Sequence, residues 1–373
     1  MIKEIWNSWW FQNLLVVLLL AVLTLIGWRL SRREYWRLAY REVRQRRGAV
    51  ICFFVLCLYV VIALADSVGW RRALKEENGE IRRNPETGAV VYDRGASALD
   101  YLLKPLSEKK EKTYSAPMAD VSFMYETATD ETGVHRVQPK LKYPGQHWLG
   151  TDRIGMDVFV QALKSIRTGM VIGILTTLLA VPFALFSGVV SGYMGGFVDD
   201  ALQYVCTVFS SVPTVLFIAA FMLIFGTGLP QLCVAMGIAS WTGLYRLLRG
   251  ETLRLREAEF VQASVAMGTS TWRILLRHII PNVMHLVLIT AVLRFSSGVL
   301  AEAVLTYLGI GVGADTVSWG SMINDARTEL TRDPIIWWKL CSAFVFMLGL
   351  VLPANIFGDA VRDALDPRLR GEV

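Results

Sequence analysis

Apolar runs long enough to cross a lipid bilayer follow one another along most of this sequence, with polar stretches between them. A helix needs about 20 apolar residues to cross the hydrocarbon, and only helices or closed barrels satisfy their own backbone groups there. We predict seven membrane-spanning helices, over residues 11–28, 49–65, 168–193, 202–225, 231–248, 283–311 and 335–357. The predicted fold class is therefore an all-helical polytopic membrane protein.

Basic residues outnumber acidic ones, and the formal net charge is +6. A basic balance can indicate nucleic-acid binding, but no folded basic module is recognisable, and the arginines cluster between apolar runs as in cytoplasmic loops. The densest cluster, residues 29–47, is predicted to be cytoplasmic, which places the N-terminus outside. A helix that binds nucleic acid or lipid is the alternative for this cluster. No A-x-A cleavage site follows residues 11–28, so we expect that helix to be retained.

The sequence shows no motif for chemistry within this chain. It contains no G-x-x-x-x-G-K-[ST] phosphate-binding loop, so we expect no ATP site. The four histidines and five cysteines have none of the spacings typical of metal ligands or disulfide frameworks. No Ser/His/Asp or Cys/His set is placed for catalysis. We therefore predict no cofactor, no metal site and no enzymatic activity.

One polar stretch between two apolar runs, residues 251–282, has a pattern of its own. Four of its side chains recur at the spacing of one helical face: Leu253, Phe260, Val261 and Ser264. We predict a short amphipathic helix there, ended by Gly268. Ser270 is placed to cap a second short helix over residues 271–279, which Pro281 is expected to close. With its basic surface, the stretch is predicted to dock another protein at a membrane face.

This stretch resembles the EAA loop of ABC importer permeases, which reads Glu-Ala-Ala, three residues, glycine, nine residues, then Ile-x-Leu-Pro. Residues 262–264 read Gln-Ala-Ser, Gly268 is the glycine, and residues 278–281 read His-Ile-Ile-Pro. Gln262 removes a charge that could pair with an ATPase, whereas Ser264 keeps the small size. The resemblance implies a coupling helix that docks into a cleft on a nucleotide-binding subunit. It assigns this coupling to Glu259, Phe260, Gln262, Ala263, Ser264, Gly268, Arg273, His278 and Pro281.

Residues 147–158 resemble a second segment, His-x-Leu-Gly-Thr-Asp-x-x-Gly-x-Asp-Val, of the peptide-type subgroup of these permeases. The matching residues that we take as an extracytoplasmic motif are Gly150, Thr151, Asp152, Gly155 and Asp157. Met156 stands where the family usually has arginine, so an ion pair made elsewhere is missing here. Residues 149–152 are predicted to form a capped turn, and residues 157–166 a short amphipathic helix along the outer membrane face.

Residues 66–146 are charged, mixed in sign and rich in turn-forming pairs such as Asn-Pro and Pro-Gly. We predict a small extracytoplasmic insert of several short elements, and hypothesise that it contacts a substrate-binding protein.

The predicted organisation is an extra N-terminal helix with an arginine-rich cytoplasmic segment (1–48), a first core helix (49–65), the insert and amphipathic segment (66–167), a five-helix permease core (168–357) that contains the coupling loop (250–282), and a cytoplasmic tail (358–373).

Two ionisable residues, Arg294 and Glu302, fall inside a predicted span. Such residues are costly in a membrane and usually face a partner or a water-filled path. Their spacing of eight positions places them on one broad helical face. We predict that they line a translocation path, together with Pro213, which breaks the span 202–225. Pairing with a neighbouring helix is the alternative, and both interpretations stay open.

From residue 35 to residue 370 the chain resembles the C-type permease subunit of dipeptide, oligopeptide and nickel ABC importers. The segment 318–320 and the tail from Gly358 match that family as well. The resemblance implies a multi-pass protein in inner-membrane lipid that imports peptides by alternating access. It further implies a second permease subunit as heterodimer partner, two ATP-binding subunits that hydrolyse the ATP, and an extracytoplasmic substrate-binding protein.

Other functions are compatible with parts of this pattern. Permeases of the subgroup share motifs across substrates, so import of a nickel chelate or another small solute by the same architecture is the first alternative. A membrane receptor or scaffold is a second, from a different class, but it predicts a cytoplasmic signalling domain where only loops and a short tail are expected. An ion channel would need a filter-like repeat, which the sequence lacks.

Overall fold

The structure, a computed structural model, describes residues 41–70, 96–130, 133–313 and 316–365. The predicted first span, residues 11–28, lies outside these ranges. The described residues divide into two compact units, the first comprising residues 57–70, 96–130, 133–167 and 329–346 and the second residues 41–56, 168–313, 316–328 and 347–365.

Helices make up most of the described chain. In order they are α1 (Arg47–Ser67), α2 (Ala98–Ser107), α3 (Val158–Met194), α4 (Gly196–Ser211), α5 (Thr214–Phe225), α6 (Leu229–Ser240), α7 (Thr242–Arg256), α8 (Glu259–Ala266), α9 (Thr271–Ile274), α10 (Ile280–Tyr307), α11 (Trp319–Glu329) and α12 (Trp338–Leu365). A π-helical turn, Leu275–Ile279, joins α9 to α10. The strands are β1 (Gly69–Trp70), β2 (Ala96–Ser97), β3 (Glu126–Asp130) and β4 (Gly133–Val137).

Several of these helices have the length and composition of membrane spans. Within the described residues, four segments qualify: Arg47–Ser67, Val158–Met194, Thr271–Tyr307 and Trp338–Ala364. The pair α4 and α5, bent by 86° at a short break, adds a fifth if it is counted as one span. The predicted all-helical membrane architecture is therefore confirmed, whereas the number of seven spans stays a prediction.

Two predicted elements have different bounds in the structure. The predicted span 231–248 is divided between α6 and α7, of 12 and 15 residues, so neither helix alone has the length that a span needs. The separate amphipathic helix predicted over residues 157–166 is wrong, because α3 runs without a break for 37 residues. No glycine or proline separates the two predicted parts, and side chains such as Ile166 are buried.

The first unit combines short strands with one short helix. The strands pair as two antiparallel two-stranded sheets, β1 with β2 and β3 with β4. Helix α2 packs its buried Leu99 and Leu103 against Val160, at the beginning of α3, and Ile62 and Ala65 of α1 border the same cluster. This apolar contact fixes α2 against the ends of two long helices.

The second unit contains two apolar cores. The first joins α3, α7, α8 and α10 around the fully buried Tyr245 and Leu248. Here Gly188 and Gly192 allow close approach of α3 to α7: a Cβ atom at Gly192 would lie 2.7 Å from the carbonyl oxygen of Arg249. The second core joins α3, α5, α6 and α10. Both cores therefore include α3 and α10.

Candidate functional site

The polar segment that follows α7 and runs into the first residues of α10, residues 257–282 (the α7–α10 segment), contains α8, α9 and the π-helical turn. The sequence predicts that Leu253 and Ser264 lie in one short helix, and this is wrong, because α7 runs on to Arg256 and α8 begins only at Glu259. Gln262 Nε2 donates a hydrogen bond to the Arg256 carbonyl oxygen at 3.0 Å. A side chain of α8 thus satisfies a terminal carbonyl of α7, which an ionised glutamate at this position would be unable to do.

The first short helix of the segment ends at a glycine, as the sequence predicts. Helix α8 ends at Ala266, and Gly268 adopts a positive φ of 74°. The N–H of Thr269 donates to the Ser264 carbonyl at 3.1 Å, a bond that closes the helix end. A Cβ atom at Gly268 would meet no atom within 4 Å, so glycine is needed here for its backbone conformation.

The second predicted helix does not end at Pro281. Ser270 is the residue before α9, without a side-chain cap bond, and the chain passes through the π-helical turn into α10. The N–H of Ile280 bonds to the Leu275 carbonyl, five residues back. Because Pro281 has no N–H, a helix normally bends or ends nearby, but the wider π turn before it lets the helix continue to Tyr307.

One face of the α7–α10 segment is anchored in the first core of the second unit. Its buried side chains pack with Tyr245 and Leu248 of α7; they are Val261, Ile274, Leu275 and Ile279. Ser264 is also buried, and its hydroxyl donates to the Phe260 carbonyl at 2.8 Å. Ile274, Leu275 and Ile279 were not predicted from the sequence as buried anchors. The signal for them was that they are apolar residues within a polar stretch.

The other face of the segment is exposed and rich in apolar side chains. These are Phe260, Val265, Met267, Trp272 and Leu276, and Met267 is 77% exposed. Most residues predicted to couple to an ATPase lie exposed on the same segment: Glu259, Phe260, Gln262, Ala263, Gly268, Arg273 and Pro281. His278 is half-buried, with its ring centroid 6.3 Å from that of Phe260. Exposed apolar side chains grouped in a polar segment are typical of a protein contact.

A polar network connects α7 to α3 and α4 just before the segment begins. Arg249 forms a bidentate ion pair with Asp199, in the first turn of α4. Ser191 of α3 donates to Asp199 and lies 2.8 Å from the Tyr245 hydroxyl. The sequence contains both charged residues of this pair, but nothing in their spacing predicts that they meet.

A cavity of about 170 Å³ lies between α3, α5, α6 and α10. Arg294 lines it, as do the hydroxyl residues Thr176, Thr177, Thr214, Ser240 and Ser297. Pro213 immediately precedes α5 at its break with α4. Two of the residues predicted for a translocation path, Arg294 and Pro213, are therefore in or beside this cavity.

Glu302, the third residue predicted for that path, has a different environment. Its side chain is 1% exposed, accepts a hydrogen bond from Thr306 Oγ1 at 2.8 Å and is hydrogen-bonded to Ser318. Its Oε1 atom also lies close to Gly320, at the beginning of α11. It forms no salt bridge with Arg294. Arg294 and Glu302 were predicted to line one path together, but their side chains have different surroundings in the structure.

The motif residues at 147–157 are brought together in the first unit. Asp157 Oδ1 accepts hydrogen bonds from the backbone N–H groups of Phe159 and Val160, at 2.8 and 3.3 Å, so Asp157 caps α3. Its other oxygen lies 2.9 Å from His147 Nδ1. The turn predicted over residues 149–152 is wrong in its bounds, because hydrogen bonds close turns at residues 147–150 and 152–155 instead. The cap of the helix is Asp157.

Asp152 instead closes the turn itself. Its Oδ1 accepts from the N–H groups of Ile154 and Met156, at 3.0 and 2.9 Å, and its Oδ2 accepts from Gln161 Nε2 at 2.6 Å. Gly155 has a φ of +73°, and a Cβ atom there would lie 1.8 Å from the Glu111 carbonyl oxygen. Glycine is thus required at this position because of the positive φ and because a side chain would collide with the Glu111 backbone.

Distant residues complete this motif. Thr151 Oγ1 accepts from the Ser115 N–H at 2.7 Å, and the Thr151 carbonyl accepts from Trp338 Nε1 at 3.0 Å. A Cβ atom at Gly150 would meet the Ser115 carbonyl oxygen at 2.4 Å. Glu111 is buried, and its carboxylate accepts from the backbone N–H groups at positions 142 and 143. Sequence reasoning missed Glu111, Ser115 and Trp338, since no local pattern connects them to the motif.

Comparison with known proteins agrees with this architecture. The family described as "Binding-protein-dependent transport system inner membrane component" matches residues 180–371. The oligopeptide transport system permease protein OppC of Bacillus subtilis is 36% identical over 224 residues, covering 60% of this chain and 72% of the relative. The dipeptide permease DppC of the same organism is 33% identical, covering 60% and 69%.

Two further similarities were found. The glutathione transport system permease protein GsiD of Pectobacterium atrosepticum is 33% identical, covering 60% of this chain and 73% of the relative. The inward-facing MetNI methionine ABC transporter is a solved structure with a TM-score of 0.44 and 16% identity, covering 56% and 96%. The sequence matches do show that the chain belongs to the binding-protein-dependent inner membrane transport components, as a multi-pass permease subunit of the peptide ABC importer family.

Proposed function

We propose that this chain moves dipeptides and oligopeptides inward by alternating access, driven by an ATPase that binds the α7–α10 segment. Its relatives are named for oligopeptide, dipeptide and glutathione transport, which supports a peptide as the transported solute. Family membership supports the dependence on a substrate-binding protein.

The exposed apolar face of the α7–α10 segment is the observation that carries the proposal. Side chains such as Met267 and Leu276 are exposed there, while Val261 and Ile274 on the other face are buried in a core shared with α3, α7 and α10. Force applied by a docked ATPase to the exposed face is therefore passed through packed side chains to membrane helices. The proposed coupling residues are Glu259, Phe260, Gln262, Ala263, Ser264, Gly268, Arg273, His278 and Pro281.

Energy for transport is proposed to come from separate subunits. The sequence has no phosphate-binding loop of the G-x-x-x-x-G-K-[ST] type, so ATP hydrolysis is assigned to two partner subunits. A second permease subunit is proposed to pair with this chain. The resemblance of residues 251–282 to the EAA loop supports the ATPase assignment, because that loop has this role in related permeases.

The topology is proposed from the sequence. Seven spans with the N-terminus outside place the α7–α10 segment and residues 358–373 in the cytoplasm. They place the insert, residues 66–146, and the motif at 147–157 outside, where the insert is proposed to contact the substrate-binding protein. Loss of the insert without loss of transport would count against that contact.

Uptake of a labelled tripeptide tests the proposal. Cells lacking this gene are expected to take up tri-alanine slowly, and expression of the full chain is expected to restore uptake. A Met267→Asp variant, which places a charge on the exposed apolar face, should reach the membrane and fail to restore uptake. No restoration by the unaltered chain would contradict the proposed substrate class, whereas full restoration by Met267→Asp would contradict the docking face.

A further inference from the structure

The cavity between α3, α5, α6 and α10 holds a positive charge, and no carboxylate among its described lining residues faces that charge. Arg294 lines the cavity, and its Nε atom is buried without a hydrogen-bond partner among the described residues. No carboxylate in the described part of the chain forms a salt bridge with it. A cation at membrane depth is costly unless it meets a partner or water, so this guanidinium is placed to receive an anion.

The wall opposite α10 adds a second feature that favours an anion. Thr214, which lines the cavity, is the first residue of the 12-residue helix α5. The residue before it, Pro213, provides no side-chain cap, so first-turn N–H groups of α5 have no side-chain acceptor from that position. The N-terminus of a helix carries partial positive charge and is a general site for anions.

The break between α4 and α5 explains how a helix N-terminus comes to lie beside Arg294. Neither helix alone is long enough to cross a membrane, but the pair is, and the two are bent by 86° where Pro213 interrupts them. In membrane proteins, broken helices of this kind are tolerated where they line a cavity, and their N-termini often point at anionic groups of a substrate. Arg294 and the beginning of α5 therefore act on the same space from two helices.

We propose that this cavity binds the carboxylate of the transported solute, with the Arg294 guanidinium as its main partner and the N-terminus of α5 as the second. The inference rests on the proposed peptide substrate, whose C-terminal carboxylate is the group that the site would hold. A guanidinium presents two parallel N–H donors that match the two oxygens of a carboxylate. The hydroxyl groups on the cavity wall provide further donors for the same group.

The test compares two forms of one peptide in cells that carry each variant of the full chain. The probes are labelled tri-alanine with a free C-terminal carboxylate and the same peptide as its C-terminal amide. The quantity measured is the ratio of their uptake rates, corrected for uptake by cells that lack the gene. The substrate-binding protein is the same for all variants, so its own preference for the acid or the amide changes every acid-to-amide ratio by the same factor. That factor cancels when the ratio of a variant is compared with the ratio of the unaltered chain. We expect Arg294→Gln to lower the acid-to-amide ratio about tenfold, and Arg294→Lys to keep most of it.

A second pair of variants tests the same cavity without removing the arginine. A Cβ atom at Gly243, in the first turn of α7, would lie 3.5 Å from Arg294 Nη2 and meets no other atom within 4 Å. Gly243→Asp therefore places an internal carboxylate beside the guanidinium, and Gly243→Asn is its neutral match. We expect the aspartate variant to lower free-acid uptake and the acid-to-amide ratio as Arg294→Gln does, and the asparagine variant to behave as the unaltered chain.

The outcomes separate this inference from the proposed function. If the unaltered chain imports tri-alanine and Arg294→Gln or Gly243→Asp slows both forms equally, the carboxylate site is wrong while peptide import stands. An equal effect is also what an anionic lipid headgroup in the cavity would give, since it does not distinguish the two probes. If the unaltered chain imports neither form, the peptide substrate is wrong and the inference falls with it. If the Arg294→Gln protein does not reach the membrane, the comparison of Gly243→Asp with Gly243→Asn tests whether the cavity binds the carboxylate.

Discussion

Arg249 and Asp199 form a bidentate ion pair, with Nε to Oδ1 and Nη2 to Oδ2 both at 2.6 Å. Arg249 lies at the middle of α7, ahead of the α7–α10 segment, and Asp199 lies in the first turn of α4. Tyr245 and Ser191 extend the contact to α3. The helix that leads into the proposed docking segment is thus connected to α4 by an ion pair. It is connected to α3, which lines the cavity, by a hydrogen bond as well as by packing.

Loss of this ion pair is expected to destabilise the protein. Arg249→Gln leaves the partly buried Asp199 without its cation, and we expect the free energy of unfolding to fall by about 2 kcal/mol. Thermal unfolding of the purified chain in detergent measures the change. Arg254→Gln is the matched control, because its pair with Glu251 spans one helical turn and the arginine side chain is 61% exposed. We expect the control to cost less than about 1 kcal/mol. Equal shifts in Tm for both variants would contradict the role given to Arg249.

Gly155 is expected to tolerate no side chain. Gly155→Ala would place a methyl group 1.8 Å from the Glu111 carbonyl oxygen, at a φ of +73°. The turn then has to open, and we expect faster amide hydrogen exchange over residues 150–158 and a lower Tm. Gly145→Ala is the control, since its φ of +66° imposes the same backbone strain but the nearest atom is 3.8 Å away. Similar exchange in both variants would show that the close contact with Glu111 is not what requires glycine.

The stability of the first unit is expected to depend on pH through Asp100, in the first turn of α2. Burial alone would raise the pKa of Asp100, but hydrogen bonds from Lys164 and Ser97 outweigh it and lower the pKa below its ordinary value of 3.8. Because the folded-state pKa is the lower one, the stabilisation is present above pH 3.8. It is lost as the pH falls through the folded-state pKa.

Asp100→Asn tests this dependence. The variant removes the capping carboxylate and the ion pair with Lys164, so we expect it to be about 1 kcal/mol less stable than the unaltered chain at pH 6. As the pH is lowered toward 3, the difference in Tm between the two proteins should shrink. A constant difference across this range would contradict the contribution of the ionised carboxylate.

Features that depend on neighbouring residues were predictable from the sequence. The helix end at Gly268 follows from glycine's freedom at positive φ, and the membrane character follows from apolar runs. Arg294 could be singled out because an ionisable residue in an apolar run is unusual. Pro281 was expected to end a helix by the same local logic. The prediction failed because the preceding π turn depends on a backbone hydrogen-bond pattern that residue types do not determine.

Features that depend on distant residues were not predictable. Glu111 meets Gly155, Trp338 bonds to Thr151, and Arg249 pairs with Asp199 only after the chain has folded. The same limit explains Glu302: its spacing from Arg294 indicated a shared face, but its hydrogen bonds are made with Thr306 and Ser318. Helical spacing gives a direction around one axis and does not identify the neighbour that lies there.

Recovery of an ATPase with the purified chain tests the central claim, docking at the α7–α10 segment, most directly. The full chain and its Ala263→Asp variant are solubilised from native membranes and captured by affinity. Gly48→Asp is the control, because Gly48 is exposed near the beginning of α1, outside the coupling loop, and a Cβ atom there would meet no atom within 4 Å. We predict that an ATP-binding subunit is recovered with the unaltered chain and with Gly48→Asp, and is lost with Ala263→Asp. Recovery of the ATPase with Ala263→Asp at the level of the unaltered chain would contradict docking at this segment.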